Sequence, residues 1–139
     1  MPISKDLQKR LATRMLELIK EKPAPKCKRQ TTVAVPIVGG GYAGYHFYNE
    51  PTKVGCNGKD GKCGCTHAEQ NMLKHYAYLD RVEDIAVWLA PCAKCAYLMV
   101  EHIPNLKIVY YGKAHSSAMG INILKSNGVE LCRFYAQSI

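Results

Sequence analysis

The sequence of 139 residues has the size of one domain, and its 47% hydrophobic and 22% charged residues exclude a disordered chain. No apolar run is long enough to cross a membrane, and the N-terminus leads into an amphipathic pattern rather than a signal-peptide core. We therefore expect a single domain, residues 1–139, that is intracellular, cytoplasmic and not bound to a membrane. The net charge of +8 favours a phosphate-bearing partner, although a solvated basic surface would carry the same charge.

The N-terminal half predicts a helix and a β-hairpin. Apolar residues recur at helical spacing over residues 4–21, and the prolines that follow end this helix. Residues 31–38 are rich in β-branched side chains and predict a strand, in which Pro36 indicates an edge or a bulge. Three glycines then form a turn, and residues 42–48 predict the partner strand. Residues 49–65 predict a loop, and a loop of this length usually has a function.

The C-terminal half predicts helices that alternate with strands. The predicted helices cover residues 66–79, 91–102 and 118–126. The predicted strands cover residues 82–90, 106–111 and 129–135. Thr66 is the expected N-cap of the first of these helices. The alternation predicts three parallel strands joined by right-handed crossovers. The expected fold class is α/β, with a mixed five-stranded sheet (an N-terminal hairpin plus three parallel strands) flanked by helices.

Two predicted helix starts carry side chains that can bind a metal. The sequence Pro91-Cys92-Ala93-Lys94-Cys95 places two thiols on one helix face, where the helix N-terminus favours thiolates. His67 lies at the start of another helix, and Glu69 follows two residues later. Two thiolates and one imidazole leave the fourth tetrahedral position of a zinc ion for water. We therefore predict one catalytic Zn²⁺ held by His67, Cys92 and Cys95, with Glu69 as the acid–base catalytic residue.

The combined pattern His-x-Glu … Pro-Cys-x-x-Cys resembles the cytidine-deaminase-like superfamily. The resemblance implies the three-layer fold of that superfamily and a hydrolytic deaminase. Bound zinc would make hydroxide available near neutral pH, and Glu69 would move protons to the ring nitrogen and to the leaving amine. A closed structural zinc with one further ligand is the alternative, but it would leave Glu69 unexplained.

Within this superfamily the chain is most similar to the deoxycytidylate (dCMP) deaminases. A histidine, His67, lies beside Glu69, as in the dCMP deaminases and the tRNA-adenosine deaminases. Residues 107–131 are similar to the tail of dCMP deaminases, including the pattern G-I-x-x-L-K-x-x-G. The resemblance implies a homo-oligomer, and it implies substrate binding by Asn49, through the sugar, and by Ala68. A plain turn is the alternative interpretation of Asn49.

One segment departs from the dCMP deaminase pattern. Those enzymes usually carry a Tyr-Arg pair between the strand and the helix of the tail, whereas this chain has His115-Ser116. Recognition of a 5′-phosphate therefore needs other groups, and the sequence offers Lys53, Lys113 and His115 as substitutes.

Four further cysteines are candidates for a second, structural zinc. Some dCMP deaminases hold such an ion just before the catalytic histidine, and Cys65 lies two residues before His67. A Cys₄ site would be built from Cys27, Cys56, Cys63 and Cys65. The alternative is a set of reduced thiols carried by loops.

The sequence leaves three functions open. The favoured one is hydrolytic deamination of a free cytosine nucleotide, dCMP to dUMP and ammonia. The second is deamination of a base within nucleic acid, either adenosine in tRNA or cytosine in single-stranded DNA, which the charge of +8 favours. The third is a non-catalytic zinc module that binds nucleic acid or protein, and it predicts that Glu69 is dispensable.

Overall fold

The computed structural model of this protein describes residues 3–21, 33–42, 44–50, 66–114 and 117–134. Within these ranges the helices are α1 (Lys5–Glu21), α2 (Ala68–His75), α3 (Ala93–His102) and α4 (Met119–Ser126). The strands in the same ranges are β1 (Val33–Val38), β2 (Gly41–Tyr42), β3 (Phe47–Tyr48), β4 (Asp84–Leu89), β5 (Ile108–Lys113) and β6 (Glu130–Arg133). None of the described helices is long and apolar enough to cross a membrane.

The described strands form one mixed sheet in the order β2-β1-β4-β5-β6, and β3 also pairs with β1. β1 is antiparallel to β2, β3 and β4, whereas β4, β5 and β6 run parallel to one another. The predictions of an α/β fold, a mixed sheet and three parallel strands are confirmed. Because the parallel strands end at the same edge of the sheet, the turns that follow β4 and β5 start close together.

The second strand of the predicted hairpin is divided, so the described part of the sheet has six strands instead of five. Gly44 lies between β2 and β3 with a φ of 87°, a left-handed conformation that L side chains rarely adopt. It interrupts the predicted extended run. Pro36 pairs with Ile85 of β4 and lies between the segments of β1 that pair with β3 and β2. Within the described residues it therefore has a neighbouring strand on one side only, where a missing amide hydrogen is tolerated.

Helices cover both faces of the sheet, which confirms the expected three layers. Leu11 and Met15 of α1 are buried on one face, in an apolar cluster that includes Ala86 of β4. The neighbouring Ile85 and Val87 belong to a second cluster on the opposite face, which contains residues of α2, α3 and α4. Burial of one such large apolar side chain stabilises the fold by about 1.5–3 kcal/mol. Each helical layer therefore contributes a substantial part of the stability.

Two tyrosine hydroxyl groups connect the ends of α1 to the sheet. The backbone N–H of Ile3 donates a buried hydrogen bond of 2.8 Å to Oη of Tyr110 on β5. Oη of Tyr48 on β3 donates to the carbonyl of Leu18 at 3.0 Å. Tyr48 directly precedes Asn49, so the contact with α1 also positions the chain that enters the predicted site.

The helix α2 ends at His75, earlier than predicted, and a 3₁₀ turn, Leu79–Arg81, follows. Tyr76 adopts an extended backbone with a ψ of 123°. Its buried ring contacts Tyr45 and Phe47 at centroid distances of 5.5 and 6.4 Å. This tertiary contact takes the chain out of the helix. The other predicted helices and strands are present, with ends that differ by a few residues.

Candidate active site

The candidate site lies at the edge of the sheet where the parallel strands end. The N–H of Ala90 donates to the carbonyl of Lys113 at 2.8 Å, which continues the pairing of β4 and β5 as far as Ala90. The chain then turns into α3. Just before the second helix start, that of α2, Thr66 exchanges two backbone hydrogen bonds of 2.8 Å with Glu50. This bridge brings the end of β3 next to the start of α2.

The helix predicted from Pro91-Cys92 is present, and it begins at Ala93, two residues after the predicted start. Cys92 is the N-cap, and its Sγ accepts a hydrogen bond from the N–H of Cys95 at 3.5 Å. The carbonyl of Cys92 accepts the N–H of Ala96 at 2.9 Å. Cys95 is fully buried. The cap fixes the first thiol, and the first helical turn places the second thiol beside it.

The predicted N-cap of α2, Thr66, is wrong, because His67 occupies this position. The backbone of Thr66 is engaged in the bridge to Glu50, and the N–H of His67 donates to Oε1 of Gln70 at 2.8 Å. Gln70 thus satisfies a backbone donor at the helix start, as in a capping box. His67 therefore carries its imidazole at the N-cap position of α2, and Glu69 lies in the first turn of the helix.

The three predicted metal ligands converge. Nδ1 of His67 lies 3.1 Å from Sγ of Cys95 and 3.5 Å from Sγ of Cys92. All three ligand atoms lie within 4.8 Å of one another. Zn–N and Zn–S bonds at a tetrahedral angle separate nitrogen from sulfur by about 3.6 Å. The observed separations are close to this value, so the donor set fits zinc with small side-chain movements.

The two thiols do not ionise independently. The pKa of Cys92 is lowered to about 3, because its sulfur interacts with the Cys95 thiol, with His67 and with the backbone N–H of Cys95. The same hydrogen bond between the thiols, together with burial and the Glu69 carboxylate, raises the pKa of Cys95 far above its usual range. The pair therefore keeps one proton unless a cation compensates the second thiolate. A divalent metal ion would supply that charge.

Glu69 is 4% exposed, and its carboxyl interacts electrostatically with His67 and Cys92 of the predicted metal site. Burial raises the pKa of its carboxyl to about 7, although a hydrogen bond from its own backbone and the charge of His67 act in the opposite direction. A carboxyl group with a pKa near neutrality can both accept and release a proton. The position and protonation of Glu69 therefore suit a proton carrier.

The two predicted substrate contacts differ in their surroundings. Asn49 follows β3 and is 4% exposed. The carbonyl of the preceding Tyr48 accepts a hydrogen bond from Nδ2 of Asn71 on α2, which ties Asn49 to the helix that presents His67. No local pattern points to Asn71, because its partner is 23 residues away. Ala68 is fully buried in the apolar cluster that contains α2, so a substrate contact would come from its backbone.

Six predicted site residues lie outside the described ranges: Lys53, His115, Cys27, Cys56, Cys63 and Cys65. Phosphate recognition by Lys53 or His115 and the second, structural zinc therefore stay predictions. Lys113 is described, and it is exposed at the end of β5 beside Ala90.

No protein-family model matches the sequence, and no curated protein is a significant match. Among solved structures, the dCMP deaminase of the cyanophage S-TIM5 in complex with dCMP and dUMP has a TM-score of 0.74 and 22% identity, over 94% of this chain and 98% of that chain. The diaminohydroxyphosphoribosylaminopyrimidine deaminase/5-amino-6-(5-phosphoribosylamino)uracil reductase of Thermotoga maritima has a TM-score of 0.65 and 19% identity, over 93% of this chain and 36% of that chain. The Rib2 deaminase of Aspergillus oryzae in complex with DARIPP has a TM-score of 0.60 and 18% identity, over 92% of this chain and 82% of that chain.

These matches show that the chain has the cytidine-deaminase-like fold, as the sequence motifs imply. At 18–22% identity they establish the architecture, and the chemistry has to be argued from the side chains of the site.

Proposed function

We propose that this protein is a zinc-dependent hydrolytic deaminase of free cytosine nucleotides, which converts dCMP and water to dUMP and ammonia. The observation that carries the proposal is the convergence of His67, Cys92 and Cys95 beside the buried carboxyl of Glu69. The similarity to a dCMP deaminase crystallised with dCMP and dUMP supports the choice of substrate.

The imidazole Nδ1 of His67 and the sulfur atoms of Cys92 and Cys95 would hold the zinc ion. Zinc, when bound, supplies the acidification of water that makes hydroxide available near neutral pH. The hydrogen bond from the Cys95 N–H to Cys92 and the pairing of His67 with Gln70 keep the ligands oriented.

Glu69 carries the protons of the proposed reaction. Its carboxylate takes a proton from the attacking water and delivers it to the ring nitrogen next to the amino-bearing carbon, to which hydroxide adds. It then moves the proton of the added hydroxyl to the amino group, which leaves as ammonia. The carbon exchanges nitrogen for oxygen, one water is consumed, and Glu69 returns to its starting state. Its burial limits proton exchange with bulk water.

The remaining contacts would orient the nucleotide. Asn49 would hydrogen-bond the sugar, at a distance from the metal ligands that Asn71 sets through the carbonyl of Tyr48. Lys113 offers a positive charge at the same edge of the sheet for the 5′-phosphate, alongside the predictions for Lys53 and His115.

A phosphoribosylaminopyrimidine is the second candidate substrate, because the similar Thermotoga maritima protein is named as a deaminase of such a compound. This compound also has an amino group on a pyrimidine ring and a phosphate. The match covers 98% of the dCMP deaminase but only 36% of the Thermotoga maritima protein, and this difference favours dCMP.

Ammonia release from a panel of substrates tests the proposal, with bound zinc measured in parallel. The panel contains dCMP, CMP, deoxycytidine, dCTP, a phosphoribosylaminopyrimidine, a cytosine-bearing DNA oligonucleotide and a tRNA. We expect the highest kcat/KM for dCMP, with deoxycytidine as the matched control for phosphate recognition. Turnover of a nucleic acid alone would refute the free-nucleotide assignment, and a zinc-loaded protein that turns over none of them would support a non-catalytic module.

We also propose a homo-oligomer, as the family resemblance implies. Light scattering coupled to size-exclusion chromatography tests this, and a monomer at all accessible concentrations would contradict it.

A further inference from the structure

The helix α4 approaches the turn before α3 more closely than a side chain would allow. Gly120, in the first turn of α4, is buried. A Cβ atom at this position would lie 2.0 Å from the carbonyl oxygen of Pro91 and 2.9 Å from the carbonyl carbon and oxygen of Cys92. Real Cβ atoms essentially never come within 3.0 Å of a heavy atom outside their own residue and its chain neighbours. Because both neighbours are backbone atoms that no rotamer change can move, only glycine fits here.

The backbone that Gly120 contacts is the part of the chain that presents the thiols. The carbonyl of Cys92 accepts the N–H of Ala96 at 2.9 Å, and its Sγ accepts the N–H of Cys95 at 3.5 Å. A displacement of this backbone would therefore move both sulfurs. His67 reaches the same sulfurs from α2, so the ligand geometry depends on where the Pro91–Cys92 backbone lies.

Packing elsewhere restrains α4 from moving away. Leu124 of α4 is fully buried in the same apolar cluster as Met99 of α3. The carbonyl of Leu124 also accepts the N–H of Val129 at 3.0 Å, which fixes the end of α4 next to β6. A larger residue at Gly120 would therefore push on the turn before α3 instead of lifting the helix.

We propose that Gly120 is a positioning residue for the metal ligands: the backbone contact of α4 with Pro91 and Cys92 sets the Cys92 sulfur relative to His67 and Cys95. The inference rests on the proposed zinc site. It extends that site to α4, a helix whose described residues include none of the converging ligands.

Gly112 on β5 provides a matched control. A Cβ atom at Gly112 would lie 2.2 Å from Cε3 of Trp88, a clash of the same severity. Trp88 packs against the apolar cluster on the α1 face of the sheet. Gly112→Ala therefore disturbs a buried contact of similar tightness, but the atoms that must give way belong to a side chain on the face away from the metal ligands.

The experiment compares the full-length wild type, Gly120→Ala and Gly112→Ala. Each protein is stripped of metal with a chelator, and its thermal unfolding is recorded. Zinc affinity is then measured by competition with a chromophoric chelator, and the thiolate-to-cobalt charge-transfer spectrum of the Co²⁺ form reports the ligand geometry. We expect about tenfold or more weaker zinc binding and an altered cobalt spectrum for Gly120→Ala. Gly112→Ala should lower the melting temperature and leave both metal readouts unchanged.

The outcomes separate this inference from the proposed function. Zinc binding and a cobalt spectrum of Gly120→Ala that equal those of the wild type would overturn the positioning role while the zinc site stands. A wild type that does not bind zinc would overturn the proposed function itself.

A second pair of variants covers the case in which Gly120→Ala does not fold. Leu124→Val removes one methylene group from the buried side chain that holds α4 in place. Leu18→Val makes the same change at a buried residue of α1. We expect weaker zinc binding for Leu124→Val only, and equal affinities for this pair would overturn the inference.

Discussion

The two faces of the sheet differ in what they contribute. On the face covered by α1, apolar side chains such as Leu11 and Met15 form the core, and the hydroxyls of Tyr48 and Tyr110 hold the ends of the helix. On the opposite face, α2 and α3 begin with the converging ligands, while their later turns fill the second apolar cluster. The helices α2 and α3 therefore contribute both to stability and to the candidate site, whereas α1 contributes to stability. The position of a substitution should thus predict which measurement it changes.

Cys95→Ser is expected to have the largest effect. It removes a fully buried thiol of the proposed zinc site, so we expect loss of bound zinc and loss of the proposed deaminase activity. Cys132, which packs against the cluster on the α1 face, is the matched control, and Cys132→Ser should keep both properties. Metal analysis and ammonia release give the two readouts. Stoichiometric zinc in Cys95→Ser would contradict the ligand assignment.

Glu69→Gln should remove proton transfer but keep metal binding, although both depend on the same face of the sheet. The amide keeps the size of the buried side chain but cannot carry protons, so we expect kcat to fall by about 10²–10⁴-fold or more while zinc stays bound. The control is Glu83→Gln, an exposed carboxylate whose ion pair with Lys107 is 2.9 Å long. An active Glu69→Gln enzyme would disprove the assignment of the proton carrier.

Leu11→Ala tests the α1 face. Truncation of this fully buried side chain should lower the free energy of unfolding by about 2–5 kcal/mol, because it removes apolar contacts and leaves a cavity. Zinc affinity should not change. Chemical denaturation of the zinc-free protein and a zinc titration give the two numbers. A loss of zinc affinity in Leu11→Ala would show that the two faces are coupled.

Asp84, at the start of β4, is expected to give the smallest effect. Burial and the nearby Glu83 raise the pKa of its carboxyl above the ordinary 3.8, although the charge of Lys107 and the N–H of Ile108 oppose this. Because the folded state then holds the proton more tightly than the unfolded state, the wild type loses stability as the pH rises from the ordinary pKa of 3.8 to the raised pKa of the folded state. The stability of Asp84→Asn relative to the wild type should therefore increase with pH between these two pKa values. It should level off above the raised pKa. Urea denaturation of both zinc-free proteins across this pH range provides the test, and a decreasing difference would contradict the shift.

Local patterns predicted the parts of the molecule that local contacts determine. The pair Pro91-Cys92 correctly predicted that a helix begins in this region, although α3 starts at Ala93, because Cys92 caps the helix with its own sulfur. The predicted cap of α2 was wrong, because Thr66 is engaged by Glu50 and His67 is the N-cap instead. A hydroxyl residue at the right spacing is a good cap only if its backbone is not already part of another bridge.

Contacts between distant segments account for the remaining differences. Tyr76 ends α2 because its ring packs on Tyr45 and Phe47. Asn71 and Gly120 meet their partners only once the sheet and helices are assembled, so no periodicity or spacing singled them out for these contacts. The glycine lies within the tail pattern that resembles dCMP deaminases, which is the one signal that could have drawn attention to it.

The backbone bridge between Glu50 and Thr66 has a consequence for engineering. Two hydrogen bonds of 2.8 Å hold Glu50 and Thr66 together, and these are the residues between which the chain segment 51–65 is inserted. Once both ends of a segment are held together, a doubling of its length costs only about 0.6 kcal/mol of chain entropy. Changes in the length of the chain between Glu50 and Thr66 are therefore expected to leave Asn49 and His67 in their places.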